Sequence, residues 1–247
     1  MTLEQFFINH PKAALAFSGG VDSAYLLYAA KQYRCNIHAY FIKSPFQPEF
    51  EYEDARRLAE ELEVPFTVIP YDILQHPQVV ENNLQRCYYC KQVLFSKLLE
   101  IAQQDGFSLL LDGTNASDSM DDRPGMRALQ ELQVRSPLRE CGLTKDMIRA
   151  LSKHAGLFTF DKPSYACLAT RIPTGTSICQ QQLTAIEQSE QKLFELGFRD
   201  FRVRIFHNTA RLQFTESQIV TAVEKRHEIK QALQPYFEDI LLDFKTR

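Results

Sequence analysis

The sequence has no apolar run approaching the roughly 20 residues that a membrane-spanning helix requires, so no membrane partner is expected. Its opening stretch, MTLEQFFINHPKAALAFSGG, lacks a basic leading region and an uninterrupted apolar core, and Pro11 breaks it. No secretory signal is therefore expected, and the reading is a cytoplasmic protein. There is no internal repeat and no low-complexity tract. There is also no positive excess: 28 Lys and Arg stand against 31 Asp and Glu, a formal charge of −3. Proteins that hold nucleic acid by its phosphates usually carry such an excess, so no nucleic-acid partner is expected.

What remains is an ordinary globular composition. Hydrophobic residues make up 45% and charged residues 24% of 247 positions, enough for one large domain or two modest ones. The six cysteines, in a reducing compartment, read as thiols or metal ligands rather than disulfides.

Apolar segments alternate with amphipathic ones through the first two thirds of the chain. AALAF (13–17), NIHAYFI (36–42), PFTVIPY (65–71) and SLLLDG (108–113) read as strands. Helices are expected over 22–33, 51–62 and 90–104 between them. Strands and helices alternating at this spacing predict an α/β domain, a parallel sheet with helices on both faces. After about residue 165 the pattern changes. SYACLATRIPTGTS is loop-like, a helix is expected over 181–197, and strands over 201–206 and 210–214. A capped helix (215–233) and a strand (236–244) complete a smaller α+β domain. The expected division is 1–165 and 166–247.

The strongest local signal is AFSGGVDSAYLL. A buried strand runs into Ser18, Gly19, Gly20, Val21, Asp22 and Ser23 and then directly into a helix. Glycines let the backbone approach an anion, and the helix N-terminus points free N–H groups at it. Ser18 and Ser23 add hydroxyl donors, and Asp22 is placed to hold Mg2+ beside phosphates. A plain glycine turn capped by Asp or Ser is the alternative. The Gly-Lys-Ser/Thr ending of a Walker loop is missing. The segment resembles instead the PP-loop, SGGxDS, of ATP pyrophosphatases, which implies ATP cleavage between the α- and β-phosphates and adenylation of a carboxyl oxygen. DGTNASD (112–118) follows the fourth expected strand at the end of the sheet where open α/β folds bind ligands. In related enzymes a Gly-Thr-Asn segment lines the nucleotide site, which here is Gly113, Thr114 and Asn115.

RCYYCK (86–91) places Cys87 and Cys90 two residues apart. The spacing suits a redox disulfide, half of a zinc site, or two ligands of an iron–sulfur cluster. In KPSYACLATR (162–171), Cys167 sits among small residues four positions before Arg171. A nearby guanidinium favours thiolate, although a structural cysteine would look the same. Cys35, Cys141 and Cys179 match no motif and read as structural. Arg202 and Arg204 alternate along FRVRIF, so both project from one strand face, where they can hold a phosphate or be a solvated surface.

SGGVDS, RCYYCK, DGTNASD, DDRPGMRAL, SPLRE, KPSYACLATRIPTG and FRDFRVR occur together in this order, and across essentially the whole chain they resemble the LarE family. These are ATP-dependent sulfur transferases of nickel-pincer nucleotide cofactor biosynthesis. The resemblance implies a nicotinic-acid-derived mononucleotide substrate, pyridinium-3,5-biscarboxylic acid mononucleotide, whose carboxylates are adenylated and converted to thiocarboxylates. It makes Cys167 the sulfur-handling residue. Because Cys87 and Cys90 accompany it, the chain resembles members in which three thiolates hold a 4Fe-4S cluster that carries sulfur from a sulfide or protein donor. The resemblance also implies substrate phosphate on Arg202 and Arg204, Arg171 against the adenylate or substrate, Glu190 near the active site, and a homo-oligomer. Gln213 stands where the family often has an acidic residue. Other PP-loop enzymes, a tRNA-thiolating sulfurtransferase or an amide-forming ligase, remain alternatives. A non-catalytic nucleotide or iron–sulfur sensor is another.

Overall fold

The computed structural model describes residues 1–118 and 124–247, so Asp121, Asp122 and Arg123 of the DDRPGMRAL motif lie outside the described residues. The chain divides into two compact units, Met1–Ile73 with Gln85–Lys162, and Leu74–Leu84 with Pro163–Arg247. No described helix is long and apolar enough to cross a membrane.

In the first unit β1 (Lys12–Ala16), β2 (Asn36–Lys43), β3 (Phe66–Pro70) and β4 (Leu110–Leu111) form a wholly parallel sheet in the order β3-β2-β1-β4. The two-residue period of a strand divides its apolar residues between two cores. Ala13 and Leu15 of β1 and Ile37, Ala39 and Phe41 of β2 pack on one side, against the helices Leu3–Asn9, Val21–Gln32, Glu49–Glu61 and Lys145–His154. Ala14 and Tyr40 face the other side, against Leu98 and Ala102 of the helix Arg86–Gln104 and Met126 and Leu129 of the helix Pro124–Glu131. Phe6 and Phe7, on the first helix, are 0% and 1% exposed, each worth about 2 kcal/mol of burial. That helix carries a capping box, Thr2 with Gln5, absent from the sequence expectations above.

Several elements depart from expectation, among them the strand expected over 236–244, which spans only Asp239–Leu242. The strand expected over 108–113 pairs only at Leu110–Leu111. Asp112 leaves it because its carboxylate takes the Thr114 and Ser136 hydroxyls at 2.5 and 2.6 Å, forming a turn. The helix expected from residue 90 begins at Arg86, which places both cysteines of RCYYCK in its first turns. The helix expected over 215–233 is a short 3-10 turn followed by Ile219–Glu224 and Arg226–Leu233, broken at Lys225, whose ammonium reaches the Leu196 carbonyl at 2.8 Å.

In the second unit β5 (Arg202–Phe206) pairs antiparallel with β6 (Thr209–Gln213), which pairs parallel with β7 (Asp239–Leu242). Val203, Ile205, Ala210 and Leu212 share the apolar face. The other face carries Arg202 opposite Gln213 and Arg204 opposite Arg211. The segment Leu74–Leu84 belongs to this unit. Asn82, 1% exposed, donates from its amide to the carbonyls of Ile172, Pro173 and Thr176 at 3.4, 2.9 and 3.0 Å. That buried amide fixes the loop that follows Cys167.

Candidate active site

β1 ends at Ala16, and the chain turns through Ser18-Gly19-Gly20 into the helix Val21–Gln32. Gly19 has φ +69°, and a Cβ there would stand 3.0 Å from the Ala55 nitrogen and Cβ, so backbone conformation and packing both demand glycine. The Ser18 and Ser23 hydroxyls lie 3.1 Å apart, and Ser23 Oγ donates to the Gly20 carbonyl at 3.2 Å. These bonds hold the loop open around a helix N-terminus whose cap, Gly20, has no side chain to fill it. Gly113 comes against the same turn: a Cβ on it would lie 2.9 Å from the Ser23 nitrogen. The DGTN segment and the glycine loop therefore meet within the first unit.

The Asp22 carboxylate receives Lys145 Nζ at 2.6 Å and the Asn115 amide at 3.3 Å. Asn115 is itself fixed, its backbone N–H donating to Asp118 Oδ2 at 3.0 Å while its side-chain oxygen takes Ser117 N–H at 2.8 Å. On the other flank Lys162 Nζ bonds the Gly19 carbonyl at 3.3 Å and Asp54 at 2.6 Å. Arg149 secures it by donating to the Phe160 and Lys162 carbonyls at 2.6 and 2.8 Å. Two ammonium groups thus flank the loop. Lys145, Lys162 and Asp54 are missing from the sequence-derived site because their partners lie far away along the chain.

In the second unit Arg171 and Glu190 form a buried pair, their side chains 0% and 2% exposed. Arg171 donates twice to Glu190, at 2.9 Å from Nε and 3.2 Å from Nη2. Val203 N–H at 3.0 Å and the Tyr165 hydroxyl complete the carboxylate's shell. Burial works against charge on Arg171, but Glu190 holds its guanidinium above the ordinary arginine value. Arg171 Nη1 also reaches the Ala166 carbonyl at 2.8 Å and the Cys167 carbonyl at 3.5 Å. The pair therefore fixes the backbone that carries Cys167. The carboxylate expected near the chemistry and the guanidinium expected against the substrate are spent on each other.

Arg202 and Arg204 differ from that pair. Arg202 donates to the carbonyls of Phe201 and Ser164. Arg204 donates to Gln213 Oε1 at 2.5 Å and to the Thr170 carbonyl at 2.7 Å. Among the described residues neither meets a carboxylate within ion-pair distance. Burial, and then the neighbouring Arg171, bring Arg202 down to about 10; the same two causes, with Arg211, lower Arg204. Two guanidinium groups without an ion-pair partner among the described residues therefore share one strand face.

All six cysteines are thiols. Cys35 is buried, donates to the His10 carbonyl at 3.4 Å, and is pushed up to about 11 by burial. Cys141 is likewise raised by burial. Cys179 caps the helix Gln180–Glu195 in a capping box with Gln182. Cys87 is exposed and stands one helical turn before Cys90, with Arg86 Nη2 3.7 Å from its sulfur. Cys167 belongs to the other unit. Among the described residues no three His, Cys, Asp or Glu side chains gather as a metal site. The start of the helix Arg86–Gln104 carries two thiols, Cys87 and Cys90.

A parallel sheet with a glycine-rich strand-to-helix loop at its carboxyl end, met there by a second strand-end loop, defines a PP-loop α/β protein. Over 235 residues the chain is 31% identical to the pyridinium-3,5-bisthiocarboxylic acid mononucleotide synthase of Lactiplantibacillus plantarum, covering 94% of this chain and 85% of that protein. An uncharacterised Synechocystis protein is 34% identical over 223 residues, 90% of this chain and 83% of its own. More distantly, a tRNA-specific 2-thiouridylase of Clostridium botulinum is 26% identical over 181 residues, about half of its length. No family model matches the chain. The chain belongs to the LarE family of sulfur-transferring PP-loop enzymes.

Proposed function

We propose that this enzyme adenylates the carboxylates of pyridinium-3,5-biscarboxylic acid mononucleotide with ATP and replaces an oxygen of each by sulfur. The observation that carries this is the pairing of two features in one chain of this family. One is a glycine-lined phosphate loop with Asp22; the other is a strand face with two guanidinium groups held only by neutral acceptors.

A carboxylate is a poor electrophile because it carries negative charge and a poor leaving group. Its oxygen attacks the α-phosphorus of ATP, the bond to the β-phosphate breaks, and pyrophosphate leaves. Backbone N–H groups of Gly19 to Ser23 and the hydroxyls of Ser18 and Ser23 would hold the phosphates. Lys145 and Lys162 would neutralise the charge that develops on pyrophosphate. Thr114 and Asn115 would line the same nucleotide site, and Asp22 would hold Mg2+, which shields phosphate charge. Arg202 and Arg204 would grip the mononucleotide's phosphate. A sulfur nucleophile then attacks the acyl carbon and AMP leaves. If sulfide is the nucleophile, thiocarboxylate forms directly. If Cys167 is, a thioester forms, and loss of the Cβ–S bond leaves thiocarboxylate and dehydroalanine. Arg171 and Glu190 act as positioning residues for Cys167.

Cys87, Cys90 and Cys167 are the thiols we assign to a 4Fe-4S cluster, which would supply sulfur at an open iron position. Family resemblance and the pairing of exposed Cys87 with half-buried Cys90 support the assignment.

The test is pyrophosphate release with ATP, Mg2+ and the dicarboxylate mononucleotide. Release should require the acid and vanish in Asp22→Ala while the fold persists. Release without the acid, or undiminished in Asp22→Ala, would refute the adenylation reading.

A further inference from the structure

On the polar face of the second unit's sheet, Gln213 stands between an arginine and an aspartate. Its Oε1 accepts from Arg204 Nε at 2.5 Å, and its Nε2 donates to Asp243 Oδ2 at 2.8 Å. Gln213 is 9% exposed, so both bonds are largely screened from water. Asp243 turns its charge to Arg211, Nε to Oδ2 3.3 Å. Register puts Arg211 directly across from Arg204 and Gln213 directly across from Arg202. The three arginines of this face thus divide into one with a carboxylate partner, Arg211, and two without, Arg202 and Arg204.

We propose that Gln213 is a specificity-determining residue that keeps Arg204 oriented but unneutralised, and so sets the affinity of this face for a phosphate monoester. The proposal rests on the reading that Arg202 and Arg204 hold the substrate's phosphate. Like charges directly opposite one another on a sheet repel, and buried guanidinium groups without counter-charge are costly. The fold accepts that cost here and meets it only with carbonyl and amide oxygens. A neutral amide of this shape accepts a hydrogen bond from Arg204 on one side and donates one to Asp243 on the other. A carboxylate at the same place would neutralise Arg204 and repel Asp243. An aliphatic group would leave Arg204 charged but loosely held. Burial, then the charges of Arg171 and Arg211, lower Arg204 from its ordinary value, and the carboxylates of Glu190 and Asp243, neither in ion-pair contact with it, offset only part of that.

The experiment is calorimetric titration of the full chain with inorganic phosphate, at fixed pH and ionic strength, in four forms. The native chain should bind. Gln213→Glu, nearly isosteric, should bind about tenfold more weakly, and Gln213→Met should lose less than about threefold. Arg204→Ala should lose most binding. Thermal unfolding of each form checks that it is folded. Equal losses in Gln213→Glu and Gln213→Met would make Gln213 merely structural and overturn the proposal, as would no loss in Gln213→Glu while Arg204→Ala fails to bind. Undiminished binding by Arg204→Ala would instead sink the arginine reading beneath it.

Discussion

Gly113 rests against the backbone of Ser23: a Cβ on Gly113 would stand 2.9 Å from the Ser23 nitrogen and 3.2 Å from its Cα. Backbone atoms of a helix start cannot step aside as a flexible side chain can. The closeness ties the DGTN segment to the phosphate loop without any side-chain bond between those two residues.

Gly113→Ala should therefore disturb the loop more than its single methyl suggests. Overpacking of this kind costs about 1–3 kcal/mol. Pyrophosphate release should fall by at least about tenfold, because the Ser23 N–H would be pushed off the phosphates. Denaturant unfolding and the release assay read the two effects. An alanine variant as stable and as active as the native chain would separate Gly113 from the site.

Glu190→Gln should be strongly destabilising. It removes the counter-charge of a guanidinium whose side chain is wholly inaccessible, a loss of about 3–5 kcal/mol. Urea unfolding measures it. A change below about 1 kcal/mol would mean that water or another anion already serves Arg171.

The cysteines should separate by reactivity. Cys35, whose ordinary value is 9.0, is pushed up to about 11 by burial. At neutral pH it stays protonated, and alkylation should reach it last, after exposed Cys87 and Cys179. The raised value also has a stability consequence. The unfolded thiol ionises first as pH rises, so Cys35's contribution is complete below 9.0 and is lost as pH climbs through about 11. Cys35→Ala should flatten that alkaline decline. Rapid alkylation of Cys35 at neutral pH would contradict the burial.

The cluster assignment predicts that anaerobically prepared protein carries iron and sulfide. Cys87→Ala, Cys90→Ala and Cys167→Ala should each lose most of both, because a cluster needs all its fixed thiolates. Cys141→Ala should lose neither. Iron retained in any of the three variants would remove that residue from the ligand set.

Much of this was legible in the sequence because the signals are local. The glycine loop follows a strand and opens a helix within ten residues. The alternation of Ala13, Ala14 and Leu15 needs no distant information to predict two covered faces. Arg202 and Arg204 follow from a period of two. What stayed hidden is long-range. Lys145 meets Asp22 across 123 residues, Lys162 meets Asp54 across 108, and Asn82 reaches Ile172 across 90. Nothing in LTKDM distinguishes Lys145 from a solvated first-turn lysine. Arg171 and Glu190 were visible as candidates, but only the fold shows them bound to each other. The short β4 has a local cause that composition conceals: the Asp112 carboxylate takes the Thr114 and Ser136 hydroxyls and turns the chain, while its backbone N–H goes to the Arg135 carbonyl at 2.9 Å.

Sulfur exchange is the most direct test. The dicarboxylate mononucleotide is incubated anaerobically with the native chain, ATP, Mg2+ and sulfide, and both small molecule and protein are read by mass spectrometry. The account predicts a product in which each carboxylate has exchanged one oxygen for sulfur, with one AMP and one pyrophosphate formed per exchange. It also predicts an intact Cys167 if sulfide is the donor, or dehydroalanine at position 167 if the cysteine is consumed. An unchanged mononucleotide beside an enzyme that thiolates tRNA, or ATP cleaved with no sulfur in any acceptor, would contradict it.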